Sequence, residues 1–173
     1  CATCDGAFFR NKVTAVAGGG DVALEDALYL SGLCEKVYLI HRRDEFRAAA
    51  NIQQKVKETA NIEILPFYEI KEIKGDKKVS SISLVQNKTG EEKELEVSGV
   101  FIAVGMEPVT ELFKELTKLD KTGYIVAGED CKTSCEGIYA AGDIRTKPLR
   151  QVVTAVADGA VAVQSVERYL HER

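Results

Sequence analysis

The spacing of apolar residues near the start of the chain predicts a strand, a tight turn, a helix and a second strand. Residues 12–17 form a short, mostly apolar run that ends at Gly18-Gly19-Gly20. Apolar side chains then recur with helical spacing as far as Ser31, and a second apolar run covers Lys36–Ile40. Because parallel strands need a crossover connection, these segments predict a right-handed βαβ unit.

The pattern changes further along the chain. We predict a helix over Phe46–Thr59 and a strand at residues 62–65. Apolar and polar positions alternate between residues 68 and 96, with a turn at Lys88-Thr89-Gly90, which predicts an antiparallel meander. The nearly continuous apolar run at residues 99–104 is expected back in the parallel sheet. The fold class is therefore α/β, Rossmann-like, with flanking helices and a meander.

The character of the chain shifts after Pro108, and we place the boundary between two domains there, at residues 1–107 and 108–173. The second domain should contain short strands at Gly123–Val126 and Gly137–Tyr139 and a helix from Leu149 to Leu170. That helix is apolar around most of its circumference, which predicts burial on several sides. About sixty residues cannot bury such a helix alone, so we expect it to pack on a sheet from outside this chain.

Composition and the chain start narrow the function. The 23 basic and 27 acidic side chains leave a formal charge of -4, which gives no basic footprint for nucleic acid or an anionic membrane. No stretch is long and apolar enough to span a bilayer, and the first residues lack the features of a signal peptide. We expect a soluble cytoplasmic protein, cut from a longer one because it starts at Cys1 and Met106 is its only methionine.

The first five residues suggest redox chemistry. Cys1 and Cys4 are spaced to close a small-ring disulfide, and in such a pair the pKa of a thiol can fall to about 7. Asp5 follows directly and could exchange a proton with the thiols. The alternative is half of a zinc site. A second pair would then be needed, but Cys131 and Cys135 stand four residues apart, so redox chemistry is favoured over zinc.

The glycine run has the spacing of a dinucleotide fingerprint. Gly18-x-Gly20-x-x-Ala23 follows a predicted strand and opens a predicted helix, as this motif requires. Gly18 permits the tight turn, Gly20 lets backbone amides approach a pyrophosphate, and Ala23 keeps the helix close to the strand. Gly19 and Asp21 belong to the same turn, so we place them in the cofactor site too.

The residues after the second strand predict which dinucleotide binds. An NAD site would place an acidic residue there, about twenty residues after the glycines. This chain instead carries His41, Arg42, Arg43 and Arg47, and guanidinium groups bind a 2′-phosphate by charge-assisted hydrogen bonds. The sequence therefore predicts NADPH rather than NADH. A solvated basic loop is the alternative, and the upstream glycines make it the weaker one.

Several of these segments together resemble one family. They are Cys1-Ala-Thr-Cys-Asp-Gly6, Gly18-Gly-Gly20 with Ala23 and Glu25, Ala27-Leu-Tyr-Leu30, His41-Arg-Arg-Asp-Glu-Phe-Arg47, Gly137-Ile-Tyr-Ala-Ala-Gly-Asp143 and Arg150-Gln151. In sequence and order they are similar to the low-molecular-weight (bacterial-type) thioredoxin reductases. The resemblance covers essentially the whole chain.

The resemblance implies a role for each matching residue. Cys4 would face a flavin, Cys1 would attack the disulfide of thioredoxin or a thioredoxin-like protein, and Asp5 would carry the proton. NADPH would bind at the glycine turn and at His41, Arg42, Arg43 and Arg47. FAD would be held by a second set of residues in the tail of the chain, namely Gly142, Asp143, Arg150, Gln151 and Val152.

The resemblance also implies that this chain lacks one segment of such enzymes, and it leaves two alternative functions open. Such enzymes carry a first FAD-binding segment before the redox motif, so we expect this chain alone to bind NADPH but to hold FAD weakly and to be inactive. The complete protein would be a homodimer. The alternatives are the flavoprotein subunit of alkyl hydroperoxide reductase, whose usual pair encloses Pro-His rather than Ala2-Thr3, and a non-catalytic NADPH-binding module.

Overall fold

A computed structural model describes residues 1–172 and divides them into two compact units, Cys1–Gly105 and a second that begins at Met106. In chain order the first unit contains α1 (Ala2–Asp5), β1 (Val13–Gly18), α2 (Asp21–Ser31), β2 (Lys36–His41), α3 (Ala50–Glu58), β3 (Ile62–Pro66), β4 (Tyr68–Gly75), β5 (Val79–Gln86), β6 (Glu92–Glu96) and β7 (Gly99–Ala103). The second unit contains α4 (Val152–His171) and two short 3-10 turns, Glu111–Phe113 and Gly142–Ile144.

Four strands of the first unit form a parallel sheet in the order β3-β2-β1-β7. The chain moves outward from β1 through β2 to β3 and then returns to the other side of β1 as β7. A crevice that can take a ligand forms at the carboxyl ends of strands where the order reverses in this way. The predicted Rossmann-like βαβ unit, the antiparallel meander β4-β5-β6 and the return of the chain to the sheet are confirmed.

Both faces of the parallel sheet are covered, and the period of two along each strand explains how. Val16 and Leu39 are fully buried against the face that packs on α2, where Leu24 is also fully buried. Their neighbours Ala15 and Ile40 point to the opposite face and pack against the meander. The near-continuous apolar runs of β1 and β2 therefore reflect strands that are buried on two sides.

The helix predicted from Phe46 begins four residues later, at Ala50. The intervening backbone donates its amides elsewhere, since Arg47 N–H donates to the Gly19 carbonyl at 2.8 Å and Ala49 N–H donates to Asp21 Oδ1 at 2.8 Å. These contacts hold residues 42–49, which we call the arginine loop, against the start of α2. The predicted helical boundary was wrong because long-range hydrogen bonds replace the first helical turn.

The second unit has less regular structure than predicted. The expected strands at residues 123–126 and 137–139 are reduced to isolated bridges, such as Leu119 with Ile125 and Lys132 with Tyr139. Each predicted strand starts at a glycine in the left-handed region, with φ of 91° at Gly123 and 82° at Gly137, so the extended run is interrupted there. The apolar cluster of this unit is small, with Ile125, Ala127 and Ala140 buried.

The last helix, α4, begins at Val152 rather than Leu149, because Gln151 and Thr154 form a reciprocal capping box at its start. Its valines remain largely exposed, among them Val153 at 72% and Val163 at 69%. Within the described residues, the predicted burial of this helix on several sides is not present.

None of the helices in residues 1–172 combines the length and apolar character needed to cross a lipid bilayer.

Candidate functional site

The redox turn lies at the start of the first unit. Cys1 and Cys4 are joined in a disulfide with a Cα–Cα distance of 5.3 Å, which is the small ring that their spacing allows. The Cys1 carbonyl accepts the backbone N–H groups of Cys4 and Asp5, each at 3.1 Å. Ala2 is fully buried while both cysteines are exposed. The turn is therefore anchored by its interior residue and presents its sulfur atoms to solvent.

A cleft of about 300 Å³ opens beside this disulfide. Its lining includes Cys1, Asp5, Phe8 and Ile102. Phe8 is 74% exposed, which is unusual for a large aromatic side chain next to polar chemistry. We call this the disulfide cleft, and it places the predicted proton carrier Asp5 and an apolar contact beside Cys1.

Asp26 on α2 was not predicted as part of this region. It accepts a hydrogen bond from the backbone N–H of Ala2, and burial raises the pKa of its carboxyl group above the ordinary value, against the lowering effect of that hydrogen bond. Nothing in the local sequence signals the contact, because 24 positions of chain separate the two residues. The structure thus ties the redox turn to α2 through a carboxylate as well as through packing.

The glycine turn after β1 is built for close approach, as the fingerprint predicts. A Cβ atom on Gly18 would lie 2.3 Å from the Ala103 carbonyl oxygen and 2.6 Å from the Ala23 Cβ. A Cβ on Gly19 would lie 2.1 Å from the His41 ring. In contrast, nothing lies within 4 Å of a Cβ placed on Gly20. The turn is packed on its inner side and leaves an open surface at the positive start of α2, which is suited to a phosphate group.

A cleft of the first unit lies at the carboxyl ends of β1 and β2, and we call it the carboxyl-edge cleft. It measures about 490 Å³, within the range of pockets that bind small molecules. Gly18 and Gly19 line it together with Arg42 and Arg47. The structure therefore brings two of the three predicted arginines to the glycine turn. Arg43 is exposed and is not among the residues that line this cleft.

His41 and Asp21 support the loop that carries these arginines. The His41 ring is buried, stacks on Phe46 with ring centroids 5.1 Å apart, and its Nε2 lies 3.0 Å from the Glu45 carbonyl oxygen. Asp21 accepts the Ala49 amide, as described above. Both residues had been placed in the cofactor site, and their observed contacts are with the loop itself. His41 also lines the carboxyl-edge cleft, whereas Asp21 is not among the residues that line it.

The remaining walls of the carboxyl-edge cleft were not predicted. They come from Tyr68, Glu69 and Ile70 on β4 and from Ile102 and Val104 at the end of β7. The position of the β7 residues could have been inferred, because a returning strand beside β1 must end at the same edge. The contribution of β4 could not be inferred from its alternating pattern. Ile102 also lines the disulfide cleft, so the two clefts share one side chain.

The second unit contains a shallow groove at the start of α4, lined by Asp143, Gln151, Val152, Ala155 and Val156. We call it the α4 groove. Three of these residues belong to the predicted second cofactor site.

The loop beside the α4 groove is held by a glycine turn and by Arg150. Gly142 has φ of 79°, which favours glycine, and the Arg150 Nε donates to the Asp143 carbonyl at 3.3 Å. The Arg150 guanidinium also stacks on the Tyr124 ring at 3.9 Å. Asp143 and the first residue of α4, Val152, line one groove, so a carboxylate acceptor lies beside a helix start there.

Beneath this loop lies a buried charged cluster that was not predicted. Asp158 on α4 accepts two hydrogen bonds from Arg145, both at 2.7 Å, one from Lys147 at 2.8 Å and one from the Gly142 backbone N–H at 2.9 Å. The Arg145 guanidinium, with Lys147 and the Gly142 amide, holds the pKa of Asp158 far below its ordinary value, although burial acts in the opposite direction. Sequence did contain a signal, because Asp158 is the only charged residue in the apolar stretch 152–166.

Comparison with known proteins agrees with this geometry. The family model of the pyridine nucleotide-disulphide oxidoreductases matches residues 1–159. The chain therefore belongs to the pyridine nucleotide-disulphide oxidoreductase family.

Individual relatives of the chain within that family are thioredoxin reductases. The chain is 44% identical to the thioredoxin reductase of Bacillus subtilis (strain 168) over 99% of its own length and 55% of the relative's. It is 48% identical to the thioredoxin reductase of Helicobacter pylori (strain J99 / ATCC 700824), over 98% of this chain and 57% of the relative. The solved thioredoxin reductase from Streptococcus pyogenes MGAS5005 superposes with a TM-score of 0.92 at 44% identity, covering 100% of this chain and 57% of that one. The chain thus spans little more than half the length of the relatives it matches.

Proposed function

We propose that this chain is the NADPH-binding and disulfide-carrying portion of a thioredoxin reductase. One observation carries the proposal: a single compact unit holds both the Cys1–Cys4 disulfide and a glycine-lined cleft with Arg42 and Arg47. Redox exchange between a nucleotide and a protein disulfide requires these two features together. The relatives at 44–48% identity are thioredoxin reductases, which supports the same assignment.

The chemistry proposed for the chain's own residues is a thiol exchange. When bound, NADPH would supply a hydride through FAD, and its two electrons, with its proton and a second proton from solvent, would convert the Cys1–Cys4 disulfide into two thiols. The Cys1 thiolate then attacks the disulfide of thioredoxin, forms a mixed disulfide and releases one thioredoxin thiolate. Cys4 closes back on Cys1 and releases the second. Asp5 moves the protons, and thioredoxin leaves with the two electrons.

The carboxyl-edge cleft suits NADPH. The open surface over Gly20 leaves room for a pyrophosphate at the start of α2, where a Cβ would occupy that space. Arg42 and Arg47 line the same cleft as cations that can pair with a 2′-phosphate. Tyr68, Ile70 and Ile102 supply apolar walls for rings. We place this domain at residues 1–107.

The α4 groove suits part of FAD. The Asp143 carboxylate can accept hydrogen bonds from hydroxyl groups, and the Val152 amide at the helix start can donate to an electron-rich group. The groove is open and shallow, so residues 108–173 would supply one side of a flavin site. A segment outside this chain would supply the other side and would cover the exposed valines of α4.

The exposed Phe8 beside Cys1 supports a protein substrate. An exposed aromatic side chain next to a reactive pair offers the kind of apolar anchor on which protein partners dock. The partner in this proposal is thioredoxin or a thioredoxin-like protein.

The test is to measure NADPH-dependent reduction of thioredoxin by this chain fused to the part of the Bacillus subtilis relative that lies outside the match. Thioredoxin thiols are followed with a thiol-reactive dye and NADPH by its absorbance. We expect activity from the fusion and none from the chain alone. Cys1→Ser and Cys4→Ser should each abolish thioredoxin reduction, because neither leaves a pair that can cycle.

Cys135→Ser is the matched control, because Cys135 is a half-buried free thiol outside the redox turn and its replacement should leave turnover intact. A fusion that binds flavin and oxidises NADPH, yet reduces thioredoxin equally well without Cys1 and Cys4, would refute the assignment.

A further inference from the structure

We propose that Asn87 is a positioning residue for the nucleotide site, which sets the preference for a 2′-phosphate by holding the backbone of Arg42. The inference rests on the proposed function and adds a residue to it. Asn87 lies in the turn after β5, and its side-chain Nδ2 donates to the Arg42 carbonyl at 2.6 Å, across 45 positions of sequence. It acts through Arg42, since it is not among the residues that line the carboxyl-edge cleft.

The turn that presents Asn87 is rigid for a surface hairpin. The Gln86 Oε1 accepts the Lys88 and Thr89 backbone amides at 2.8 and 2.7 Å and the Thr89 hydroxyl at 3.0 Å. The Gly90 amide closes the turn by donating to the Gln86 carbonyl at 2.8 Å. Gln86 thus accepts four hydrogen bonds, which fix the direction in which the neighbouring Asn87 amide points.

Asn87 is also anchored to the wall of the cleft. Its own backbone N–H donates to the Phe67 carbonyl at 2.8 Å, and Phe67 directly precedes Tyr68, which lines the cleft. Phe67 has φ of 65°, in the left-handed region that only a few per cent of non-glycine residues adopt. The Asn87 side chain therefore joins the β4 wall of the cleft to the start of the arginine loop.

On its Arg42 side the arginine loop follows His41 at the end of β2, and the Asn87 contact fixes the carbonyl of Arg42 itself. Its other end is held to the βαβ unit, because Arg47 N–H donates to Gly19 and Ala49 N–H donates to Asp21. Those bonds fix Arg47 but lie several residues from Arg42. When Asn87 also holds the Arg42 carbonyl, both guanidinium groups that line the cleft start from fixed backbone positions, which is what bidentate recognition of a phosphate requires.

The test measures binding of NADP⁺ and NAD⁺ to the whole 173-residue chain by calorimetry, for the wild type, Asn87→Ala and Asn87→Asp. These nucleotides differ only in the 2′-phosphate. We expect each substitution to reduce the ratio of the NAD⁺ and NADP⁺ dissociation constants by about two- to tenfold, the loss expected for one hydrogen bond, with NAD⁺ binding unchanged. Asn87→Asp keeps the side-chain volume and removes the donor, but its carboxylate also repels a 2′-phosphate, so a loss supports the inference only where Asn87→Ala shows it as well.

Asn61→Ala is the matched control. The Asn61 amide also bridges backbone carbonyls, those of Ser31 at 2.9 Å and Cys34 at 3.2 Å, but at the amino ends of the strands, away from the cleft. It should lower stability and leave the ratio unchanged. The inference is overturned if both Asn87 variants leave the ratio unchanged, or weaken both nucleotides equally. A wild-type chain that binds NAD⁺ as tightly as NADP⁺ would instead refute the proposed cofactor.

Discussion

The two units of this chain are stabilised in opposite ways. In the first, a parallel sheet is covered on both faces, and side chains such as Leu24 and Leu39 are fully buried. In the second, the apolar cluster has only three buried members among the described residues, while the buried part of α4 is the charged Asp158. The apolar valines of the same helix lie in solvent. The usual arrangement of apolar inside and charged outside is thus inverted along α4.

This difference indicates which unit depends on a single residue. Apolar contacts in the first unit are individually weak and numerous, so its stability is spread over many side chains. A buried charge is stable only when all its partners are present, because each unpaired group bears the full penalty of leaving water. The second unit gathers Gly142, Arg145 and Lys147 around one carboxylate, so its order depends on Asp158.

The largest effect should therefore come from Asp158→Ala. Removing the carboxylate leaves the buried Arg145 and Lys147 cations without the buried carboxylate that they share, and breaking a buried ion pair in this way costs about 3–5 kcal/mol. We expect hydrogen exchange followed by mass spectrometry to show fast exchange of amides throughout residues 106–172. Amides of the parallel sheet in the first unit should keep their protection.

The control for Asp158→Ala is Glu129→Gln. Glu129 also approaches Arg145, at 3.9 Å, but its side chain is 99% exposed, so water already solvates the charge and exchange should stay as in the wild type. Loss of protection in both units of the Asp158 variant would mean that the charged cluster supports the whole chain, and the contrast drawn here would fail.

Acid should produce a similar but smaller effect without any substitution. The folded state keeps Asp158 charged, so its pKa lies far below the ordinary value of about 4 that applies to the unfolded chain. The stabilisation is therefore complete above pH 4 and is lost progressively as the pH falls below 4 towards the folded-state pKa. We expect the stability gap between wild type and Asp158→Ala, measured by denaturant titration, to be constant from pH 7 to 5 and to narrow below 4. A gap that stays constant down to pH 2.5 would contradict this.

The same contrast explains how much of the fold was predictable from sequence. The βαβ unit follows from local periodicity and the glycine turn, whose neighbours lie within a few positions. The start of α3 did not follow, since the Arg47 and Ala49 amides bond to residues 28 positions away. The short strands predicted in the second unit are reduced to isolated bridges. An apolar run next to Gly123 or Gly137 does not indicate whether a partner strand exists.

The residues of the candidate site also fall into two groups, those that local motifs predict and those that depend on contacts between distant parts of the chain. Gly18, Arg42 and Arg47 belong to local motifs, and the structure brings them to one cleft. The Asn87 contact could not be predicted, because it joins a hairpin turn to a loop 45 positions away. Asp158 could have been inferred as a paired charge from its apolar surroundings, but its partners could not be identified, since Arg145 and Lys147 lie in an irregular segment without periodicity.

The smallest predicted effect tests the comparison between the two units most directly, because the same type of substitution is made in both. Val→Thr keeps the shape of the side chain and adds a hydroxyl group that must be solvated or bonded. At Val37, fully buried in β2, it should cost about 1–3 kcal/mol in the free energy of unfolding. At Val163, which is 69% exposed on α4, it should change stability by less than about 0.5 kcal/mol.

Denaturant titration of the two valine variants provides the measurement. A large loss at Val163 would mean that the apolar face of α4 is already covered in solution, for example by a second copy of the chain, and a dependence of the melting point on protein concentration would identify that case. If Val163→Thr is neutral, the valine face is free in this chain. It is then available to the flavin-binding segment that the proposed function places outside this chain, and the fusion with that segment should make the same substitution costly.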